Sequence, residues 1–163
     1  MLSVRRIQRG ESRLFRQLRL QALKESPQAF GSTYVDAMER SPESWTTQSD
    51  GTSRGSDRST FIAFTDEYPI GLSALYRLES PQDVGELMQV WVSPDFRRKA
   101  VAGALMDVVF YWAEKNNFRA IAAGIRAGNA GAMRFYQKYG FVTETGITLD
   151  CPGDAAVLIK DVR

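Results

Sequence analysis

The sequence predicts an α/β protein built on one central, twisted, mixed sheet with helices on both faces, in the order β-α-α-β-β-β-α-β-α-β-β. Three observations predict it. Three short runs rich in β-branched and aromatic residues lie between Phe61 and Val92, separated only by turns, and imply an antiparallel meander. A strand–helix–strand passage follows from Met88 to Ile125, and such a unit sets a parallel pair. Before the meander, Glu11 to Ser26 carries an apolar stripe of helical period, Leu14, Leu18, Ala22 with Phe15 and Leu23.

In chain order, Ser3 to Gln8 alternates and reads as a first strand, and Pro27 stops the helix that follows. A second helical stretch lies between Val35 and Ser49, entered or interrupted at Ser41-Pro42-Glu43, where proline suits a first helical position. Asp50 to Ser59 is polar and glycine-rich, a flexible loop. Phe61 to Thr65, Ile70 to Leu78 and Glu86 to Val92 are the meander strands. Ser93-Pro94-Asp95 ends the third, and a long helix is expected from Arg98 to Asn116. Ala120 to Ile125 is a strand, Asn129 to Tyr139 a helix capped by Asn129 and closed by Gly140. Phe141 to Thr145 and Ala155 to Ile159 form a closing hairpin across Asp150 to Asp154.

Composition narrows the chemistry. With 163 residues, 44% hydrophobic and 25% charged, the chain reads as a single globular domain over residues 1–163. No apolar run approaches the roughly 18 residues of a membrane span, and the first residues lack an apolar signal-peptide core, so a cytoplasmic protein is expected. A net charge of +2 is too small to argue for nucleic acid. One cysteine, Cys151, excludes an internal disulfide and a cysteine-cluster metal site. The absence of histidine excludes Ser-His-Asp and Cys-His catalysis and histidine-ligated zinc, and no metal is expected. Catalysis must rest on carboxylates, tyrosine, backbone dipoles or a cofactor.

Two stretches carry chemistry. Arg97, Arg98 and Lys99 place three cations where the long helix begins, the end at which its macrodipole disfavours them. Ala100, Val101, Ala102 and Gly103 follow, small enough to let a ligand approach bare backbone N–H groups. Cations and free amides after a strand and at the start of a βαβ helix suggest a phosphate site; a solvated helix start packed on a strand is the plainer alternative. The second stretch, Asn129 to Phe141, is an amphipathic helix whose aromatics fit a core, except that Tyr136 carries a hydroxyl needing a partner or a use.

Together these stretches resemble the GNAT superfamily of acetyl-CoA-dependent N-acetyltransferases. The first is similar to that family's pyrophosphate pattern, Arg/Gln-x-x-Gly-x-Gly/Ala, at Arg97, Ala100 and Ala102, with alanine in place of the usual glycine at position 100. The second resembles Asn-x-x-Ala-x-x-Phe-Tyr-x-x-x-Gly-Phe, at Asn129, Ala132, Phe135, Tyr136, Gly140 and Phe141. The opening, Arg5-x-Ile7-x-x-x-Glu11 and Lys24 to Thr33, is also similar. The resemblance implies a GNAT-like acyl-CoA N-acyltransferase fold, with acetyl-CoA as co-substrate lying between the two parallel strands. Its diphosphate would rest on the amides of Arg98 to Gly103, its pantetheine arm would pair with the backbone of Val90 to Val92, including Trp91, and Asn129 would contact it. A primary amine of a small molecule, peptide or protein would attack directly in a ternary complex, with the oxyanion met by a backbone N–H near Val90. Tyr136 would act as general acid on the leaving thiolate and Glu86 as base, with Glu79 a weaker candidate. Phe30, Ser32, Tyr34, Tyr76 and Trp91, together with Trp45 and the last hairpin, would shape the acceptor pocket. If Ala100 is helical its methyl costs little in backbone terms, but it crowds the diphosphate, which leaves open a non-catalytic acyl-CoA binding or sensing domain. A structural interaction module remains if both stretches serve packing alone; a homodimer is left open, and neither nucleic acid nor membrane is expected as a partner.

Overall fold

Alternation with period two decides which face of a strand each side chain takes. Along the second strand, Phe61 and Ala63 join one buried cluster while Ile62 and Phe64 join another. The two clusters lie on opposite faces of a seven-stranded sheet, as the computed structural model, which describes residues 1–151 and 153–163, shows. Its strands are β1 (Leu2–Arg6), β2 (Arg58–Thr65), β3 (Tyr68–Arg77), β4 (Val84–Val92), β5 (Ala120–Ile125), β6 (Val142–Thr143) and β7 (Ala156–Asp161). The spatial order is β1-β2-β3-β4-β5-β7-β6. β1 to β4 form an antiparallel run, β4 and β5 are parallel, and β7 inserts antiparallel between β5 and β6. The helices are α1 (Ser12–Glu25), α2 (Tyr34–Met38), α3 (Pro42–Thr52), α4 (Val101–Lys115) and α5 (Ala130–Tyr139).

The faces follow from the apolar stripes. Leu105, Met106, Val109 and Ala113 of α4 pack with Phe61, Ala63, Ile70, Leu75, Leu87 and Ile121. On the other face Phe15, Leu18, Ala22 and Leu23 of α1, with Trp45 of α3, cover Ile62, Phe64, Leu72 and Trp91. Each fully buried Val, Leu, Ile, Phe or Met among them contributes about 1.5–3 kcal/mol, so the stripes hold the layers together.

Several boundaries differ from the sequence reading, each for a physical reason. The second helical stretch is interrupted at Ser41, one of the two readings its sequence offered, and Thr33 and Ser41 each open a helix of their own. Thr33 Oγ1 accepts from the Asp36 N–H and Ser41 Oγ from the Ser44 N–H, both at 3.1 Å. The α3 helix runs on to Thr52, whose hydroxyl donates to Ser49 O at 3.0 Å, despite the roughly 1 kcal/mol cost of Gly51. The rest of the polar loop is tied down: Arg77 binds Asp57 Oδ1 at 3.0 Å and Ser56 O at 2.8 Å. β6 is only two residues long, and the chain beyond it covers the β4–β5 end of the face that α1 also covers. There Ile147 and Leu149 pack with Val84, Ala120 and Ala122. Within the closing turn, Pro152 lies outside the described residues. No helix of the described residues is long and apolar enough to cross a membrane.

Candidate active site

The parallel pair at the centre of the sheet comes apart. β4 and β5 are in register at Val84 with Ala120, Gly85 with Ile121 and Glu86 with Ala122, and nowhere beyond. β4 continues to Val92 and β5 to Ile125, so past Glu86 a notch opens whose facing strand edges have no strand partner among the described residues. In the same stretch β4 bulges. Leu72 and Ala74 of β3 pair with Trp91 and Met88, so β4 carries one residue more, and Gln89 takes φ +60°. Such a bulge turns backbone N–H groups out of the ladder. The backbone N–H that the resemblance expects near Val90 thus lies on an irregular, half-unpaired strand.

A short turn leads from the notch into α4. The helix begins at Val101, not at Arg98 as the sequence suggested. Arg98 and Ala100 both take positive φ, +63° and +65°, which ends helical continuity before it starts. Ala100 is therefore left-handed rather than helical, and its methyl is not cheap: an L-residue there costs about 1–2 kcal/mol. Alternation of left- and right-handed residues makes successive N–H groups converge, an anion-binding arrangement. No side chain caps the helix and no acidic residue stands in its first turn. The N–H groups of Val101, Ala102 and Gly103 are thereby left at a bare positive helix end, which fits a diphosphate. Arg98 and Lys99 are exposed beside it. Arg97 is engaged elsewhere: its Nε donates to Val92 O at 3.0 Å and its Nη2 to Glu25 Oε2 at 2.9 Å. Glu25 also accepts from Trp91 Nε1 at 2.9 Å, joining the end of α1 to β4 and the turn.

α5 lies on the α4 side of the sheet. Asn129 Oδ1 accepts from the Ala132 N–H at 3.1 Å, Gly140 closes the helix at φ +108°, and the Tyr139 hydroxyl donates to Asp107 of α4. These contacts fix Tyr136, which is 8% exposed and edge-on to Phe135 and Phe141. Burial pushes its hydroxyl well above the usual tyrosine range. It is a neutral phenol at every physiological pH, a hydrogen-bond donor rather than an anion.

Glu86 is half-buried at the last paired position of the notch, opposite Tyr76 of β3. Burial raises its carboxyl above the usual range, and the charge of Asp150 raises it further. Cys151 borders Gly124 of β5, where an added Cβ would stand 3.3 Å from its sulfur. Burial, Glu86 and Asp150 all push its thiol up, so it is poorly suited to be a nucleophile. Glu79 is exposed in the turn after β3, away from the notch.

The expected acceptor residues are partly brought together. Phe30 lies under the Arg19 guanidinium at 4.9 Å, and Ser32 lines a cavity with Arg19 and Gln89. Tyr76 accepts from Gln48 Nε2 at 3.1 Å, and Trp91 is buried under α1. Tyr34 stands further out, with Lys24 over its ring at 5.8 Å. Arg126, just after β5, donates to Gln28 O and Phe30 O and holds the Phe30 segment across the open side. Arg19, Gln89, Glu25 and Arg126 were all missed in the sequence. The one legible signal was Arg19, an arginine inside the apolar stripe of the first helix.

Comparison with known proteins gives this arrangement a context. Residues 20–141 match the family model described as Acetyltransferase (GNAT) family. A stretch of 60 residues is 32% identical to an uncharacterised N-acetyltransferase of Methanocaldococcus jannaschii, over 37% of this chain and 26% of that protein. The match thus spans about a quarter of that relative's length. Among solved structures, a GNAT-family acetyltransferase of Streptococcus pneumoniae superposes with a TM-score of 0.80 at 17% identity, covering 99% of each chain. The PaiA N-acetyltransferase of Thermoplasma acidophilum, in complex with coenzyme A, gives 0.71 at 18% identity over 99% of each chain. The ribosomal-protein-S18-alanine N-acetyltransferase of Escherichia coli gives 0.69 at 17%, over 99% of this chain and 94% of that one. At such identities the structures speak for the fold alone, whereas the family model spans most of the chain, both chemical stretches of the sequence, the splayed strands and the bare helix end. By that match the chain belongs to the GNAT family of acetyltransferases.

Proposed function

We propose that the protein transfers an acetyl group from acetyl-CoA to a primary amine by direct attack in a ternary complex. The observation that carries this reading is the notch between β4 and β5, followed through a turn by the uncapped N-terminus of α4. An extended arm can pair with an unpartnered strand edge, and a diphosphate can end on the amides of Val101 to Gly103 with Arg98 and Lys99 beside it. When bound, acetyl-CoA supplies an activated acyl carbon and a thiolate leaving group. The residues of this chain do the rest. The backbone N–H freed at the Gln89 bulge meets the carbonyl oxygen as its charge develops. Glu86, whose carboxyl burial raises above the usual range, takes the proton from the attacking amine, directly or through water. Tyr136 donates a hydrogen bond to the departing sulfur. Its raised pKa makes complete proton transfer to a thiolate unfavourable, so its part is to stabilise that charge. The acceptor is an amine on a small molecule, peptide or protein, and the cytoplasm is the proposed location.

Acetyl-CoA at about 100 times its Kd should stabilise the fold by about 2.7 kcal/mol. For a chain of this size that raises Tm by about 5–10 °C. Thiol release with a panel of amines then reports turnover. No melting shift at millimolar acetyl-CoA, or no thiol release with any amine, would sink the proposal.

A further inference from the structure

We propose that the acceptor is a small amine that also carries a carboxylate, an amino acid or close analogue, and that Arg19 receives that carboxylate. This rests on the acetyltransferase reading above and names the substrate class of the same site. Behind the β4 bulge lies a cavity of about 180 Å³ whose lining includes Arg19, Asp36, Arg40, Trp45, Gln48 and Gln89. Arg19 is 6% exposed, and its Nη1 has no hydrogen-bond partner. Trp45 is 2% exposed, and its Nε1 is likewise unpartnered. Gln89 Oε1 is the third buried polar atom without a partner on the same lining. The other unpartnered atoms among the described residues are all serine or threonine hydroxyls, on Ser49, Ser59, Thr60 and Ser73. Buried polar groups in folded proteins are nearly always paired, so three unpartnered groups around one small cavity make it a site suited to a polar ligand.

The chemistry of the orphans says what fits. Two are donors, one of them on a guanidinium, and the third is a carbonyl acceptor on the bulged residue itself. A carboxylate answers the donors and an amine N–H answers the acceptor. Neither Arg19 nor Arg40 forms an ion pair among the described residues. Arg40 is stacked on Trp45 at 3.8 Å and bound to Ser44. Asp36, the carboxylate on the lining, is exposed. Burial pushes the Arg19 guanidinium down to about 10, which leaves it charged at neutral pH and short of a counter-ion. A cavity of 180 Å³ is below the size of a drug-sized pocket, so it suits an amino acid and not a folded peptide. Because Gln89 belongs both to the cavity and to the bulge, a molecule held here presents its amine beside the amide assigned to the oxyanion.

The test pairs each common L-amino acid with its α-amide and its decarboxylated amine, on the full chain with acetyl-CoA. Thiol release should favour at least one acid over both its counterparts by about 100-fold or more in kcat/KM. That acid, and not its amide, should raise Tm. Arg19→Met should erase the preference while the acetyl-CoA melting shift is kept and the ligand-free Tm is equal or higher, since an unpaired buried charge has been removed. Equal rates for acids and amides, a preference for carboxylate-free amines or for longer peptides, or a preference that survives Arg19→Met would overturn the proposal. If acetyl-CoA itself fails to bind, the transferase reading fails separately. The melting arm then runs with the amino acids alone, and absence of any carboxylate-dependent shift overturns this site too. Should Arg19→Met not fold, the matched pairs on the unaltered chain decide.

Discussion

Ala100 holds φ +65° and ψ 8° immediately before α4, and Ala100→Gly removes its Cβ from a conformation that L side chains resist. The left-handed cost for alanine is about 1–2 kcal/mol. Glycine returns about 0.4–1 kcal/mol of this through its larger freedom in the unfolded chain. The net gain is therefore about 0.5–1 kcal/mol, or about 1–4 °C in Tm for a chain of 163 residues. Thermal melts of the ligand-free protein read it directly. Titration with coenzyme A gives the second channel: removing a methyl beside the amides of Val101 to Gly103 should leave affinity equal or better. An unchanged or lower Tm would show that the turn carries no strain. Glycine at this position of the family pattern would then need another explanation, such as close approach of the ligand.

Three further outcomes are expected. Tyr136→Phe should keep the acetyl-CoA melting shift and fold stability within about 1 kcal/mol, yet slow acetyl transfer about 10²-fold or more in single-turnover measurements; an unchanged rate removes the tyrosine from the mechanism. Glu86→Gln should abolish the acid limb of the kcat/KM profile, and Asp150→Asn should move that limb to lower pH, because the like charge that helps raise Glu86 is gone. Glu86 should also show in stability. With its folded pKa above the unfolded one, the native state binds the extra proton, so stability falls as pH rises from the unfolded value through the folded one. Glu86→Gln should escape that loss in denaturant melts at neutral pH.

Much of this was legible in the chain because it rests on local chemistry. The β4-α4-β5 passage follows from a switch of period, Asn129 from its capping oxygen, and Gly140 from a left-handed helix end. What stayed hidden depends on contacts distant in sequence, or on residues in atypical roles. Arg98 and Ala100 adopt left-handed angles without being glycine, so α4 reads three residues too long. Gln89 sits inside a largely apolar strand run whose bulge appears only when β3 is laid against it. Asp150 bears on Glu86 from the segment that packs on Val84 and Ala122, a neighbour no spacing rule predicts. Arg19 was visible as an anomaly in an apolar stripe, but its missing partner was not.

The brief register between β4 and β5 also governs how the molecule comes apart. Three paired positions join a leaf made of β1 to β4 to a smaller leaf of β5, β7 and β6, with α4 as the covalent strap between them. Such a joint divides the protein into units that can open at different free energies. Amide exchange should therefore be slowest in β2 and β3, faster as a group in β5 and β7, and should draw together when a ligand fills the notch and fastens both leaves. A single exchange rate for the two leaves in the free protein would mean that their shared core makes the fold one cooperative unit.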